Sequence, residues 1–254
     1  GANAVVQAAR ERQGPQHREL PPLVLSAGAS PTALAVQNLL STPQAAGGTE
    51  FTDQLMTATA ALGALFQEIK SKGHVAEIHA GVYPLLDMQQ LAVHSVSSAL
   101  VSWRDVAMTV LAEVHSKYPG RGDGGETSEA LCGAGGLALG REFCKAYPGM
   151  AVVHPWGRKA ADGKPLALPD CDVESFDGWV IGRFSQEHGI LTWHAPYGQA
   201  APNPDEFEIG QKIRLWPNHA CITSSHFGWY FVIDSDLQGR EDEVADIYIK
   251  TRGW

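Results

Sequence analysis

The sequence changes character near residue 105, and this change limits the folds that the chain can adopt. Before it, short apolar runs alternate with longer helical patterns, and a glycine follows each apolar run. This alternation favours a parallel sheet covered by helices. After it, short β-branched and aromatic runs are separated by Gly, Pro, Asn and Asp, which is typical of an antiparallel β-domain or barrel. We therefore expect an α/β part over residues 1–104 and an all-β part over residues 105–254.

The first part predicts two strand-and-helix units. Strands are expected at residues 22–27 and 74–79, and a long helix at 51–72. Helices are also expected to begin at Ser30, where Pro31 follows the capping serine, and after Asp87. Two such units cannot close an eight-fold (β/α) barrel, which needs roughly 250 residues by itself. We therefore expect most of any such barrel to precede this sequence.

The charge and the cysteines exclude several classes of protein. The net charge of −9 over 254 residues gives no general attraction to nucleic acid or to an anionic membrane surface. No apolar stretch approaches the roughly 20 residues that span a bilayer. The four cysteines form no CxxC pair and no disulfide scaffold. These features predict a cytoplasmic protein without nucleic-acid or membrane partners.

Two turns at expected strand ends are candidates for binding a phosphate. In each, a buried run ends at a glycine, which lets the backbone pass close to a ligand, and hydroxyl side chains follow. Ligands of parallel α/β proteins lie at the carboxyl ends of strands, so the two turns could share one anion. Alternatively, the first is an ordinary turn with a capping serine and the tyrosine of the second packs in the core. The candidate residues are Ser26, Gly28, Ser30, Thr32, Gly81 and Tyr83.

The segment His219-Ala220-Cys221, here called the His-x-Cys segment, is a candidate metal site. On a strand, positions i and i+2 face the same way, so an imidazole and a thiolate would supply half of a tetrahedral zinc site. His188 could be a third ligand, whereas His226 is interpreted as a loop residue. The alternative is a buried cysteine beside a surface histidine.

Taken in order, several segments make the chain resemble the D-serine dehydratase-like family, in its eukaryotic, fungal-type form related to D-threonine aldolase. The resemblance covers most of the chain from about residue 20. The segments that carry it are LVLSAGASPTA, AEIHAGVYPLLDMQQLA, MTVLAEVHSKYPGR, ALCGAGGLALGREF, FSQEHGIL and LWPNHACIT.

The resemblance implies a fold-type III enzyme that uses pyridoxal 5′-phosphate (PLP), with an amino-terminal (β/α) barrel and a carboxy-terminal β-domain. This chain would hold the carboxy-terminal part of that fold. The two turns would cradle the PLP phosphate, and His219 and Cys221 would bind Zn2+. Related D-threonine aldolases have His-x-Asp at that place, so Cys221 favours a dehydratase. A homodimer is implied for the complete protein.

The implied reaction is β-elimination of D-serine to pyruvate and ammonia. The cofactor acts as an electron sink, a lysine as the general base, and zinc assists departure of the β-hydroxyl. No lysine of this chain stands in the family's His-x-Lys context, so we expect the cofactor-binding lysine upstream of Gly1 and no catalytic residue of that kind here. The alternatives are aldolase-like cleavage of β-hydroxy-D-amino acids and a non-catalytic, lysine-free remnant.

Overall fold

A computed structural model of the chain consists of two compact units, each described here by itself. One unit is Gly1–Pro84 with Val93–Val101, and the other is Leu85–Ala92 with Ser102–Trp254. The structure describes residues 2–13, 21–28, 30–31, 33, 50–94, 96, 101–122, 125–155, 176–198, 207–234, 236–237, 240 and 243–251.

The first unit contains a pair of parallel strands, which confirms the expected strand–helix–strand order. Helix α1 (Ala2–Gln13) precedes β1 (Val24–Gly28), and α2 (Glu50–Ser71) leads into β2 (Val75–His79). Strands β1 and β2 pair in parallel, with Val24 opposite Val75 and Gly28 opposite His79. Both strands therefore end at the same edge of this parallel pair.

The second unit contains a closed antiparallel barrel, which confirms the expected β-domain. Its strands follow one another around the barrel in the order β3-β4-β7-β6-β5-β8. They are β3 (Val110–Tyr118), β4 (Glu129–Cys132), β5 (Ala151–Pro155), β6 (Gly178–Phe184), β7 (Gly189–His194) and β8 (Lys212–Pro217).

Alternation along the strands fills the barrel interior. In β3, for example, Val110, Ala112 and Val114 are buried, whereas Leu111 and His115 are exposed, because successive side chains point to opposite faces. The core that these strands enclose also includes side chains from β6, β7 and β8: Trp179, Ile181, Leu191, Ile213 and Leu215.

Short elements extend the barrel unit at its ends. They are α3 (Met88–Ala92), a 3₁₀ turn (Trp103–Asp105), α4 (Ala220–Ser225), and the strands β9 (Trp229–Ile233) and β10 (Val244–Ile249), which form an antiparallel pair. Trp103 packs edge-on against Tyr147, and its indole N–H donates to the tyrosine oxygen at 3.3 Å.

Two details differ from the sequence expectations. The helix after Asp87 spans only Met88–Ala92, because His94 has a left-handed φ of 50°, a conformation that ends helices. The segment Leu85–Ala92 lies with the barrel unit, whereas the predicted boundary stood at residue 104. The amide of Ala107 donates to the Leu85 carbonyl at 2.9 Å, which joins that segment to the barrel unit. None of the helices in the described ranges is long and apolar enough to cross a membrane.

Candidate functional site

The parallel pair brings the two predicted phosphate turns to one edge. Gly28 lies opposite His79, two residues before Gly81. The amide of Val82 donates to the hydroxyl oxygen of Ser30 at 3.3 Å, so the two turns are directly bonded to each other. Because that oxygen accepts this hydrogen bond, the hydrogen of the Ser30 hydroxyl can still be donated to another acceptor.

The glycine at the end of β1 has few close contacts within the described residues. A Cβ added to Gly28 would meet the His79 Cβ at 3.9 Å, an ordinary van der Waals contact. The described residues therefore leave space beside Gly28. Tyr83 is about half exposed, and Thr32 lies outside the described residues.

Ser26 makes bonds within the parallel pair rather than at the turn. Its hydroxyl lies 3.2 Å from the Glu77 carboxylate and 2.9 Å from Nε2 of His79. Nε2 of His79 is also 2.5 Å from the same carboxylate. The bond from His79, and then that from Ser26, lower the pKa of Glu77. This polar network occupies one face of the two strands, since paired and alternate residues share a face.

The His-x-Cys segment lies at the opposite end of β8 from Lys212, and its local structure corrects the sequence prediction. His219 is the extended N-cap of α4, with φ −137° and ψ 103°, and Cys221 is in the first helical turn. The two residues are therefore not on a strand, and the argument that i and i+2 share a face does not apply. Both side chains are partly buried.

A buried carboxylate holds the backbone of this segment. Asp87 is 1% exposed, and its Oδ2 accepts the amide of Ala220 at 2.9 Å. Its Oδ1 accepts the amide of Gln90, also at 2.9 Å, and so caps α3. One side chain thus connects two segments that are 133 residues apart in the sequence.

A buried carboxamide holds the preceding residue. Asn218 is 1% exposed, and its Nδ2 donates to the carbonyls of Glu142, Tyr147 and Gly149 at 3.3, 3.2 and 2.7 Å. Its own backbone carbonyl accepts the amide of Gln89 at 3.3 Å. Asn218 therefore fixes where β8 ends and the His-x-Cys segment begins.

The charges around this segment favour a cation. Burial raises the pKa of Asp87, opposed by its bonds from backbone amides and by His219. Burial, and then the negative charge of Asp87, raise the pKa of the Cys221 thiol. Burial is also the largest cause that raises the pKa of Cys144, to which Asp87 adds. These shifts favour the neutral thiols, and a positive ion near Asp87 would instead favour the thiolate form of Cys221.

The described residues contain no group of three His, Cys, Asp or Glu side chains able to hold a metal ion. His219 and Cys221 are thus two donors of suitable chemistry without a third from that part of the chain. His188 packs against His115, with 6.4 Å between ring centroids, and His115 follows Val114, whose carbonyl accepts the amide of Gly210. His188 therefore lies near the start of β8, whereas His219 follows its end. The strand is about 20 Å long at 3.3 Å per residue, which separates the two histidines.

Three buried oxygens beside the His-x-Cys segment lack a hydrogen-bond partner among the described residues. They are Oε1 of Gln90, Oδ1 of Asn218 and Oγ1 of Thr223. The amide of Thr223 donates to the His219 carbonyl at 3.1 Å, so all three residues adjoin or bond to the segment or to Asp87. Such oxygens accept hydrogen bonds from ordered water, including water bound to a metal.

Comparison with known proteins places the chain in a family. Residues 107–233, half of the chain, match the family described as "Putative serine dehydratase domain". The chain belongs to this D-serine dehydratase-like family, as its sequence predicts. The match begins just before β3 and ends with β9, so it includes the whole barrel and the His-x-Cys segment.

Curated relatives are dehydratases. The chain is 34% identical over 178 residues to D-serine dehydratase of Schizosaccharomyces pombe and 32% identical over 179 residues to that of Saccharomyces cerevisiae. Both alignments cover 70% of this chain and 34% of the relative. D-threo-3-hydroxyaspartate dehydratase of Delftia is 28% identical over 162 residues, which is 64% of this chain and 37% of that protein. The chain therefore spans about a third of the length of these relatives.

Solved structures show the same fold. The Delftia D-threo-3-hydroxyaspartate dehydratase has a TM-score of 0.52 at 21% identity, over 93% of this chain and 57% of that one. An alanine racemase-like protein from Idiomarina loihiensis also has a TM-score of 0.52, at 20% identity over 99% of this chain and 60% of that one. The chain therefore shares its fold with these two proteins, one of which is described as alanine racemase-like.

The turns and the His-x-Cys segment are candidates from the sequence alone, but the residues that hold the segment are not. Asp87 appeared only as a possible helix start, and Asn218 was not singled out. A buried acidic residue just ahead of a helix and an Asn after a Pro are weak signals alone. Only the fold brings residues 87 and 220 together.

Proposed function

We propose that this chain carries part of a D-serine ammonia-lyase, which depends on PLP and zinc and converts D-serine to pyruvate and ammonia by β-elimination. The observation that carries the proposal is the 34% identity to a D-serine dehydratase over 178 residues. The aligned length covers 70% of the chain, so the similarity extends beyond any single motif.

The edge of the parallel pair supports the PLP part of the proposal. Ser30 and the turn at Gly81–Tyr83 would hold the phosphate, since the Ser30 hydroxyl retains a hydrogen to donate. Gly28 leaves room for close approach of the backbone. Bound PLP supplies an electron sink for the charge that develops on the substrate α-carbon. Ser26, Glu77 and His79 form a polar face on the same two strands.

The His-x-Cys segment supports the metal part. Two solved structures of a D-threo-3-hydroxyaspartate dehydratase are a cysteine-to-alanine variant in the metal-free form and a histidine-to-alanine variant, and that histidine stands two positions before the cysteine. His219 and Cys221 have the same spacing. They would hold zinc with its other positions open, and the buried unpaired oxygens would accept hydrogen bonds from its water. Bound zinc supplies a Lewis acid for departure of the β-hydroxyl.

The test is formation of pyruvate and ammonia from D-serine by the protein expressed from its natural gene. We expect activity that is lost on chelation and restored by zinc, and loss of zinc retention in His219→Ala and Cys221→Ala. Full zinc retention in either variant would overturn the assignment of the ligands. Absence of pyruvate from D-serine, with PLP and zinc supplied, would overturn the dehydratase assignment.

A second substrate has a specific observation in its favour. The Delftia relative is named for D-threo-3-hydroxyaspartate, another β-hydroxy-D-amino acid. Oxaloacetate formed from that substrate faster than pyruvate from D-serine would identify the chain's activity as hydroxyaspartate dehydration. Glycine and an aldehyde released from D-threonine would instead identify the aldolase alternative. The cytoplasmic location and the homodimer stay predictions.

A further inference from the structure

The backbone between the two proposed metal ligands is held by a side chain from another part of the sequence. Ala220 separates His219 from Cys221, is fully buried, and donates its amide to Oδ2 of Asp87 at 2.9 Å. This amide is one of the free N–H groups at the start of α4, and His219 itself makes no side-chain capping bond. Asp87 therefore supplies the cap that the local sequence lacks.

Asp87 is itself held in place by its surroundings. Its second oxygen accepts the Gln90 amide at 2.9 Å, which fixes the carboxylate against α3. The preceding residue, Leu86, is buried and has a left-handed φ of 56°, a conformation that is unfavourable for a branched side chain. Such strain persists only where neighbouring contacts maintain it. Here the Leu85 carbonyl accepts the Ala107 amide at 2.9 Å, which anchors the turn.

The bond between Asp87 and the Ala220 amide fixes the orientation of the His219 side chain relative to that of Cys221. The backbone turns from extended at His219 to helical at Ala220. The peptide group at that turn therefore sets the direction of the imidazole relative to the thiol. A buried bond to that amide prevents it from rotating, because an unpaired buried amide is strongly unfavourable.

We propose that Asp87 is a positioning residue for the metal, acting through the Ala220 amide to keep His219 and Cys221 arranged for one ion. This proposal rests on the metal site of the proposed function. Groups that do not touch the metal but orient its ligands typically lower metal affinity by about 10- to 100-fold when removed. Asp87 makes its hydrogen bonds to backbone amides and not to either side chain, so it positions them through the backbone, while its charge also acts on both.

The first test measures Co2+ binding by the 254-residue chain and its Asp87→Asn variant, in the absence of PLP. Cobalt reports its ligands through visible d–d and thiolate charge-transfer absorption. We expect binding that is about 10- to 100-fold weaker, with a changed absorption spectrum at saturation. Asp105→Asn is the matched control, because Asp105 also accepts a backbone amide, that of Ser102 at 2.6 Å, but is itself exposed and caps the 3₁₀ turn.

A second variant removes the donor instead of the acceptor. Ala220 is the first residue of α4, where proline is favoured. His219 before it is extended, as the residue preceding a proline usually is. Ala220→Pro deletes the amide that Asp87 accepts while the helix start is kept. We expect Ala220→Pro to weaken Co2+ binding as well, although the Asp87 charge remains. Asparagine keeps one acceptor oxygen for the two amides, so both changes disturb the same contact, and the double variant should bind little more weakly than Asp87→Asn.

The outcomes separate this inference from the proposed function. Equal Co2+ affinity in the original chain, His219→Ala and Cys221→Ala would overturn the metal site itself. Weak binding in those two variants, with undiminished binding and an unchanged spectrum in folded Asp87→Asn or Ala220→Pro, would overturn only the role of Asp87. Losses in Asp87→Asn and Ala220→Pro that simply add in the double variant would also overturn it.

Discussion

The barrel and the parallel pair carry their candidate sites in different ways. The barrel encloses its own core, and Ile213, Leu215 and Leu191 are fully buried within it. In the parallel pair, most residues of β1 and β2 are exposed, including Val24 and Val75. Parallel sheets are normally covered on both faces. The barrel therefore has the packing of a complete structural unit, whereas the described part of the parallel pair does not.

The same difference appears in the bonds at each site. At the end of β8, the side chains of Asp87 and Asn218 are buried and bond to backbone groups. On the parallel pair, Ser26, Glu77 and His79 are exposed and bond to one another. Buried bonds to the backbone fix position, while exposed side-chain bonds compete with water. We infer that the His-x-Cys segment is rigid by itself and that the two turns at the edge of the parallel pair depend more on what covers them.

The largest expected effect comes from comparing one strand residue of the barrel with one of the parallel pair. Ile213→Ala removes a fully buried side chain from β8, which pairs with both β3 and β5, so it should lower the free energy of unfolding by roughly 2–5 kcal/mol. Val24→Ala in β1, where the valine is 57% exposed, should change it by less than about 0.5 kcal/mol. Urea unfolding followed by tryptophan fluorescence measures both. A Val24→Ala effect as large as that of Ile213→Ala would show that the parallel pair is equally well packed.

The difference between the two regions also explains which features the sequence could predict. Apolar runs and turn residues are local signals, so the strands of the parallel pair and the presence of an antiparallel β-domain could be predicted from the sequence. The His-x-Cys segment was found, but its start of a helix was missed. HACITSS has the β-branched residues of a strand, and its helix cap comes from Asp87, which no local pattern indicates.

The family relationship could be predicted because it depends on an ordered set of segments rather than on one. The roles of Asp87 and Asn218 could not, because each depends on contacts between distant residues. Asn218 reaches the carbonyls of Glu142, Tyr147 and Gly149, which a loop brings to the end of β8. Sequence separations of about 70 residues carry no periodic signal that points to such a bond.

The second expected effect is on thiol reactivity. Burial raises the pKa of Cys132 in β4 to about 11 from 9.0, so its thiolate should be about 100-fold scarcer than that of an exposed thiol near neutral pH. Ser26→Cys would place a thiol on the exposed parallel pair. We expect iodoacetamide to label residue 26 at least 100-fold faster than Cys132 at pH 8, as measured by mass spectrometry.

The pH dependence of Cys132 has a definite sign. Its folded pKa is raised, so the resulting stabilisation is fully present below the unfolded pKa of 9.0 and is lost as pH rises through about 11. Unfolding in urea should abolish the difference in labelling. Rapid labelling of Cys132 in the folded chain at pH 8 would show that the barrel opens at β4.

A smaller effect is expected from an ion pair at the barrel wall. Nη2 of Arg183 lies 2.6 Å from the Glu129 carboxylate, which is 5% exposed, whereas the arginine is 58% exposed. Arg183→Met leaves the buried carboxylate without its cation and should destabilise the chain by about 1–2 kcal/mol, reduced by solvent screening of the arginine. Lys72→Met, in an exposed pair with Glu68 on α2, is the control and should have no measurable effect. Equal urea midpoints for the two variants would contradict this contrast.

The smallest effect is expected at Ser26. Ser26→Ala removes a bond that lowers the pKa of Glu77, after the larger contribution of His79, so that pKa should rise slightly. Because the folded pKa is depressed, the associated stabilisation exists above the ordinary value of 4.5 and is lost as pH falls through the folded pKa. NMR titration of the carboxyl resonance measures the shift. We expect an unchanged unfolding midpoint at pH 7, because all three side chains are exposed. A midpoint that fell as far as in Ile213→Ala would show that this network holds the parallel pair together, and the contrast with the barrel would then fail.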